Sequence, residues 1–150
     1  MYNSVITEML VGTHLNSIGR SCNLLWFKFC SEEIEIFLHT QCIVRIIKQN
    51  GVIVTSEDIY LPFAENEDFD WEVYGNSIYD IRLNELISKN KYAVISFEKE
   101  NMLNDYKIVL NDDLIIQLLD NKPLDDECER WRVFRKSDKH YVLYDKLIIE

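Results

Sequence analysis

Histidine and cysteine are the side chains of this sequence that could perform metal or nucleophilic chemistry. The sequence has three histidines and four cysteines, and His39 lies close to Cys42 along the chain. Cys30 is expected across from His39 on a neighbouring strand. His39, Cys42 and Cys30 are therefore candidate zinc ligands. The spacing matches no zinc motif, and no Cys-x-x-Cys pair occurs. A strand histidine with an ordinary hydrogen bond is the favoured interpretation, and we predict neither a metal nor a cofactor.

A cysteine nucleophile, Cys30 or Cys42 activated by His39, is the second candidate chemistry. Activation calls for a helix N-terminus or an oxyanion nest beside the thiol, and the sequence places neither there. Asp112 and Asp113 could perform acid–base catalysis, but they lie in a predicted turn with no apolar cleft nearby. No glycine-rich phosphate loop is present. The sequence therefore predicts a protein that is not an enzyme, and a reaction at Cys42 or His39 remains a third hypothesis.

Residues 62–77 have a different character, because acidic and aromatic side chains alternate there without an intervening Lys or Arg. Carboxylates attract a basic surface over long range, and aromatic side chains supply desolvated anchors. The aromatic rings could equally pack inward and hold a rigid acidic rim. The candidate partner-binding residues are Asp58, Glu65, Glu67, Asp68, Asp70, Trp71, Glu72 and Tyr74.

The net charge of −10 restricts the kind of partner. Binding to nucleic acid or to anionic lipid requires a surplus of Lys and Arg, so neither is expected. No export signal is visible at the N-terminus, and no apolar segment approaches the roughly 20 residues of a membrane helix. The cysteines are therefore interpreted as reduced thiols, which predicts a cytoplasmic protein. The negative net charge predicts that its partner is a basic protein.

The elements that must position these residues are mostly strands. β-Branched and aromatic residues dominate residues 24–60, which predicts an antiparallel meander with a hairpin at Asn50-Gly51. A short strand broken at Gly19 precedes it, and further strands follow residue 92. Apolar spacing predicts short helices at residues 2–10 and 77–88. We expect an α+β fold, mostly β, with two related antiparallel meanders and one or two short helices.

An internal duplication is suggested by matches between the two halves. Residues 25–29 align with residues 93–97, and residues 42–47 align with residues 114–119. The order and spacing persist over about forty residues, although ladders of Ile and Val also match by chance. The length of the chain predicts a single domain, residues 1–150. Its pseudo-repeat halves would span about 10–61 and 78–145, and residues 62–77 would join them.

Several short patterns along most of the chain resemble a broad group of small bacterial proteins. The patterns are Leu10-Val11-Gly12, Ile18-Gly19-Arg20, Leu25-Trp26-Phe27-Lys28-Phe29, Leu38-His39, Arg45-Ile46 and Glu129-Arg130-Trp131-Arg132-Val133-Phe134. Proteins of this group are often immunity proteins, paired with polymorphic or contact-dependent toxins. The resemblance implies a class of protein and transfers no catalytic residue.

Together these observations predict a cytoplasmic immunity protein that binds a cognate toxin domain and blocks its active site. The alternative is a small-molecule-binding or regulatory β domain without catalysis. A deep apolar pocket lined by Trp26, Phe37 or Trp131 would favour that alternative.

Overall fold

The computed structural model describes residues 2–150, and antiparallel strands dominate it. Strands take 44% of the chain and helices 17%, which confirms the predicted α+β class with mostly β structure. Both predicted helices are present in this range. The hairpin predicted at Asn50-Gly51 is shifted by one residue, because Gly51 pairs with Lys48 and the turn is Gln49-Asn50. Both turn residues have positive φ, 53° and 65°, as in a type I′ turn.

The described residues form two helices, one 3₁₀ helix and a series of strands. Those of the first half are α1 (Tyr2–Leu10), β1 (His14–Ser21), β2 (Leu24–Cys30), β3 (Glu35–Thr40), β4 (Ile43–Lys48), β5 (Gly51–Thr55) and the 3₁₀ helix (Ser56–Tyr60). Those of the second half are α2 (Ile78–Lys89), β6 (Tyr92–Lys99), β7 (Tyr106–Leu110), β8 (Leu114–Leu119), β9 (Trp131–Arg135), β10 (His140–Leu143) and β11 (Leu147–Ile149).

The strands form one continuous sheet in which the two halves of the chain exchange their last strands. Across residues 2–150 the order is β11-β10-β9-β3-β2-β1-β6-β7-β8-β4-β5. Strand β3 pairs with β9, so β1–β3 and β9–β11 make the first half-sheet. Strand β8 pairs with β4, so β6–β8 with β4 and β5 make the second half-sheet. The half-sheets meet where His14 pairs with Ala93 and Leu15 pairs with Tyr92.

The order of elements repeats along the chain, but not in the alignment that the sequence matches indicate. Helix α1 and strands β1–β5 recur as α2 and β6–β10. Strands β1 and β6 both have an irregular register, between Leu15 and Ser17 and between Val94 and Ser96. The sequence matches aligned β2 with β6 and β4 with β8. Alternating apolar residues make any two strands of a meander look alike, so such matches do not fix the register of a repeat.

The inner faces of the two half-sheets pack against each other in one core. Trp131 of the first half-sheet contacts Phe97 and Tyr106 of the second, with ring centroids 5.5 Å and 5.1 Å apart. Helix α1 packs on β6, and helix α2 packs on β1 and β5. Helix α1 therefore covers a strand of the second half-sheet, whereas helix α2 covers one strand of each half-sheet. The buried apolar side chains of both halves join in one cluster.

Gly19 does not interrupt β1, and the predicted break at that position is wrong. The strand runs through it, and Gly19 pairs with Trp26 of β2. A Cβ atom at residue 19 would lie 2.2 Å from Cζ2 of the Trp26 ring, so the indole occupies the space that glycine leaves open.

Replacing Gly19 with alanine should therefore lower the free energy of unfolding by about 1–3 kcal/mol, because the indole must leave its position. Urea unfolding of Gly19→Ala measures the loss. In a Trp26→Ala background the same change should cost less than about 0.5 kcal/mol, since the clash is absent. Equal losses in both backgrounds would show that the indole is not the cause.

Candidate functional site

The acidic loop, residues 62–77, leaves the 3₁₀ helix and returns to helix α2 through a short ribbon. The backbone N–H of Phe63 donates to the carbonyl of Asn76 at 3.0 Å. The N–H of Ile78 donates to the carbonyl of Leu61 at 2.8 Å. These two hydrogen bonds hold the ends of the loop side by side.

A buried ion pair between Arg20 and Asp80 fixes the base of the loop. Nε and Nη2 of Arg20 donate to the two carboxylate oxygens of Asp80 at 2.8 Å and 2.9 Å, and both side chains are 0% exposed. Arg20 also donates to the carbonyl of Val73 at 3.3 Å. The Asp80 carboxylate accepts from the N–H of Gly75 at 2.9 Å and of Ser77 at 3.3 Å. The pair thus ties β1, the loop and helix α2 together.

Asp80 also completes the N-terminal cap of helix α2. The Ser77 hydroxyl accepts from the N–H of Asp80 at 3.1 Å, and the Asp80 carboxylate accepts from Ser77 in return, which is a capping box. Burial alone would raise the pKa of Asp80. Hydrogen bonds from Arg20, Gly75 and Ser77 outweigh burial and hold the pKa below its ordinary value. The carboxylate is therefore ionised at neutral pH.

Within the loop, side chains and backbone form local turns. The side-chain carbonyl of Asn66 accepts from the N–H of Asp68, and the carboxylate of Asp70 accepts from the N–H of Glu72, each at 3.0 Å. The half-buried ring of Trp71 packs on the core and contacts the ring of Tyr60, with centroids 4.8 Å apart. The loop is therefore ordered by its own contacts although its polar side chains face water.

The predicted partner-binding residues fall into three groups. Those with exposed side chains are Glu65, Glu67, Asp68, Asp70, Glu72 and Tyr74. Trp71 is half-buried and supports the loop from inside. Asp58 lies in the 3₁₀ helix, and its carboxylate accepts from the N–H of Thr55 at 2.9 Å, so it is engaged in capping that helix. Of the two alternatives for the aromatic side chains, Phe69 and Trp71 thus pack partly inward, and Tyr74 faces out.

Exposed apolar side chains at the base of the loop were missed from the sequence. Leu61, Phe63 and Val73 are 50%, 51% and 54% exposed. They flank the acidic residues along the chain, and Tyr74 is exposed as well, at 40%. Their signal in the sequence was weak, because isolated apolar residues next to a proline or within an acidic run read equally well as core contacts. Their exposure depends on the ribbon geometry.

The loop of residues 120–130, between β8 and β9, is organised by a second buried arginine. Arg130 is 1% exposed, and its Nε donates to Asp120 at 3.1 Å. Its remaining guanidinium groups donate to the backbone carbonyls of Pro123, Asp126 and Cys128. Neighbouring Arg132 pairs with Glu129. These arginines are thus bound to nearby acids and carbonyls.

The loop of residues 120–130 approaches the 3₁₀ helix beside Tyr60. A pocket of about 170 Å³ is lined by Tyr60 and Glu57 on one side and by Asn121 and Lys122 on the other. Asn121 and Lys122 therefore lie beside the 3₁₀ helix from which the acidic loop leaves.

The structure does not bring the Cys30 thiol to His39. Cys30 pairs with Glu35, whereas His39 pairs with Trp26 further along the same two strands, so the expected Cys30–His39 neighbourhood is wrong. Cys42 is buried, and burial raises its pKa to about 11. His39 contacts Phe134 edge-on, and burial followed by the charge of Arg132 lowers its pKa. The Cys42 thiol therefore stays protonated at neutral pH.

Two features are absent from residues 2–150. No group of three or more His, Cys, Asp or Glu residues is placed to hold a metal ion in that range. No helix among the described residues has the length and apolar character needed to cross a bilayer.

Comparison with protein-family models, with curated proteins and with solved structures finds no significant match to this chain.

Proposed function

We propose that this protein is a cytoplasmic immunity protein that binds a cognate, basic toxin domain and blocks its active site. The acidic loop would be the contact surface. The observation that carries the proposal is the combination of exposed carboxylates with exposed Phe63, Val73 and Tyr74 on one loop whose base is tied down by a buried ion pair.

Each part of that combination suits a binding surface. A loop held in one conformation loses little conformational entropy on binding, so more of its contact energy appears as affinity. Exposed apolar and aromatic side chains provide anchors that are desolvated in a complex. The surrounding carboxylates and the overall charge of −10 attract a basic partner and raise the association rate.

The small-molecule alternative has less support from the pockets of the structure. Five surface pockets have volumes of about 170 to 350 Å³, at or below the lower end of the roughly 300–1,000 Å³ typical of ligand sites. None of these five is lined by Trp26, Phe37 or Trp131. Trp131 instead fills the core and is 1% exposed.

Co-expression with the product of the adjacent upstream gene tests the proposal. We expect the two proteins to co-purify and the toxin activity to be lost in the complex. The association rate should fall steeply between about 0.01 M and 0.15 M salt, as the Debye length shortens from about 30 Å to about 8 Å. Absence of a complex would contradict the proposal, and an association rate that ignores salt would remove its electrostatic part.

A charge-matched pair of variants locates the surface. The loop variant is Glu65→Gln, Glu67→Gln, Asp68→Asn and Glu72→Gln. These side chains are exposed, and none forms an ion pair with a described residue. The control is Glu32→Gln, Glu33→Gln, Glu85→Gln and Asp113→Asn, which changes the net charge equally. We expect the loop variant to slow association about tenfold or more and the control to have a much smaller effect. Equal effects would mean that overall charge, and not the loop, attracts the partner.

A further inference from the structure

A pocket of about 270 Å³ lies at the base of the acidic loop, between the loop and helix α2. Its apolar lining comes from Phe63, Ala64 and Phe69 of the loop and from Ile81 of helix α2. Its polar lining comes from Glu65, Asn66 and Asn76. The pocket is smaller than a typical metabolite site, and its size suits one side chain of a partner protein.

The aromatic and acidic residues of the lining would suit a cation with an apolar stem. Among the five pockets described, this is the one lined by aromatic rings and a carboxylate without any Lys or Arg. The pocket beside Tyr60 also contains Lys122, and the pocket beside His14 contains Lys89 and Lys91. Glu65 forms no ion pair or side-chain hydrogen bond with the described residues, so its carboxylate is available to a ligand.

The walls of the pocket are held in place before any partner arrives. Phe63 and Asn76 face each other across the ribbon, joined by the 3.0 Å hydrogen bond. Ile81 lies in the first half of helix α2, whose N-terminus is fixed by the capping box of Ser77 and Asp80. Phe69 is positioned by the turn at Asn66, whose carbonyl accepts from the Phe69 N–H at 3.1 Å.

We propose that this pocket receives an arginine side chain of the partner protein, with the guanidinium against the phenyl rings and paired with Glu65. Arginine is favoured over lysine because its planar group stacks on aromatic rings, is more weakly hydrated than an ammonium and can pair with a carboxylate through two hydrogen bonds. The proposal rests on the proposed function, since the arginine belongs to the bound protein.

The pocket can be tested without the partner. N-acetyl-L-arginine methylamide is titrated into the ¹⁵N-labelled protein, and backbone amide shifts are followed by NMR. We expect saturable shifts centred on Phe63, Glu65 and Asn76, with about tenfold weaker binding of the uncharged citrulline analogue. Glu65→Gln should weaken binding of the arginine probe by about threefold to tenfold. Glu67 is a neighbouring carboxylate of the loop outside the pocket. Glu67→Gln should therefore leave the affinity for the arginine probe unchanged.

Three results would overturn the assignment. They are equal binding of arginine and citrulline analogues, equal losses in the Glu65→Gln and Glu67→Gln variants, and equal binding of the matching lysine derivative. Because the probe is a small molecule, these outcomes do not depend on the toxin. A toxin complex that forms while the arginine probe fails to bind leaves the proposed function standing and rejects the pocket.

Discussion

Replacing Asp80 with asparagine should lower the free energy of unfolding by roughly 3–5 kcal/mol, because the Arg20 guanidinium would be left buried without a counter-charge. Both side chains of the pair are 0% exposed, so water cannot take the place of the carboxylate. The capping box of helix α2 and the hydrogen bond to Gly75 would weaken at the same time. Urea unfolding at pH 7 measures the loss.

An exposed ion pair supplies the matched control. Lys28 and Glu35 lie 2.9 Å apart with side chains 26% and 52% exposed, so Glu35→Gln should cost less than about 1 kcal/mol. If Asp80→Asn cost no more than Glu35→Gln, the buried pair would not be what fixes the base of the acidic loop.

The dependence of this loss on pH has a definite sign. The folded-state pKa of Asp80 lies below its ordinary value, so its stabilisation is complete above the unfolded pKa of about 3.9. The stabilisation is lost as the pH falls from there through the folded pKa. The difference between the wild type and Asp80→Asn should therefore be constant between pH 5 and 7 and shrink below about pH 4. A difference that stays constant to lower pH would exclude Asp80 ionisation as its source.

Replacing Arg130 with alanine should cost a similar amount, roughly 3–5 kcal/mol. The change leaves the Asp120 carboxylate, whose side chain is 11% exposed, without its partner, and leaves the carbonyls of Pro123, Asp126 and Cys128 without their donor. Hydrogen exchange should report the opening of residues 120–130 before global unfolding, because the Arg130 side chain contacts that loop at four of its residues.

Two further variants separate loss of the guanidinium from a general effect of removing an arginine. Arg82 is exposed and donates one hydrogen bond of 3.3 Å to the carbonyl of Ile53, so Arg82→Ala should cost about 0.5 kcal/mol or less. Arg130→Lys should recover only part of the loss, since an ammonium cannot reproduce the forked geometry. If lysine restored the full free energy of unfolding, the positive charge alone would hold the loop, and the several hydrogen bonds of the guanidinium would not be required.

Local structure was predictable wherever neighbouring residues decide it. Period-two alternation gave the strands, and helical spacing gave the two helices. The 3₁₀ helix Ser56–Tyr60 was missed, because its start depends on reciprocal hydrogen bonds between Thr55 and Asp58 within a segment that reads as the end of a strand. The break predicted at Gly19 was wrong because the reason for a glycine there is the Trp26 ring on the neighbouring strand, which the local sequence does not reveal.

Contacts between distant residues could not be read from the chain. Nothing in the sequence of β3 distinguishes β9 from β4 as its neighbour, because both carry apolar residues in the same alternation. Arg20 and Asp80 look like ordinary surface charges until the fold places them together. The candidate site was predictable in its composition, since a run of carboxylates must stay in water. The role of Asp58 in a cap and the exposure of Phe63 both depend on geometry that composition does not contain.

The exchange of strands means that the acidic loop divides the chain without dividing the folded protein. Strands β4 and β5 complete the sheet that β6 begins, and β9–β11 complete the sheet that β1 begins. A segment ending before residue 62 would lack β9, which pairs with β3. A segment starting at α2 would lack β4, which pairs with β8. The loop therefore links the two halves of the chain covalently but does not separate two independently folded units, because each half-sheet contains strands from both halves.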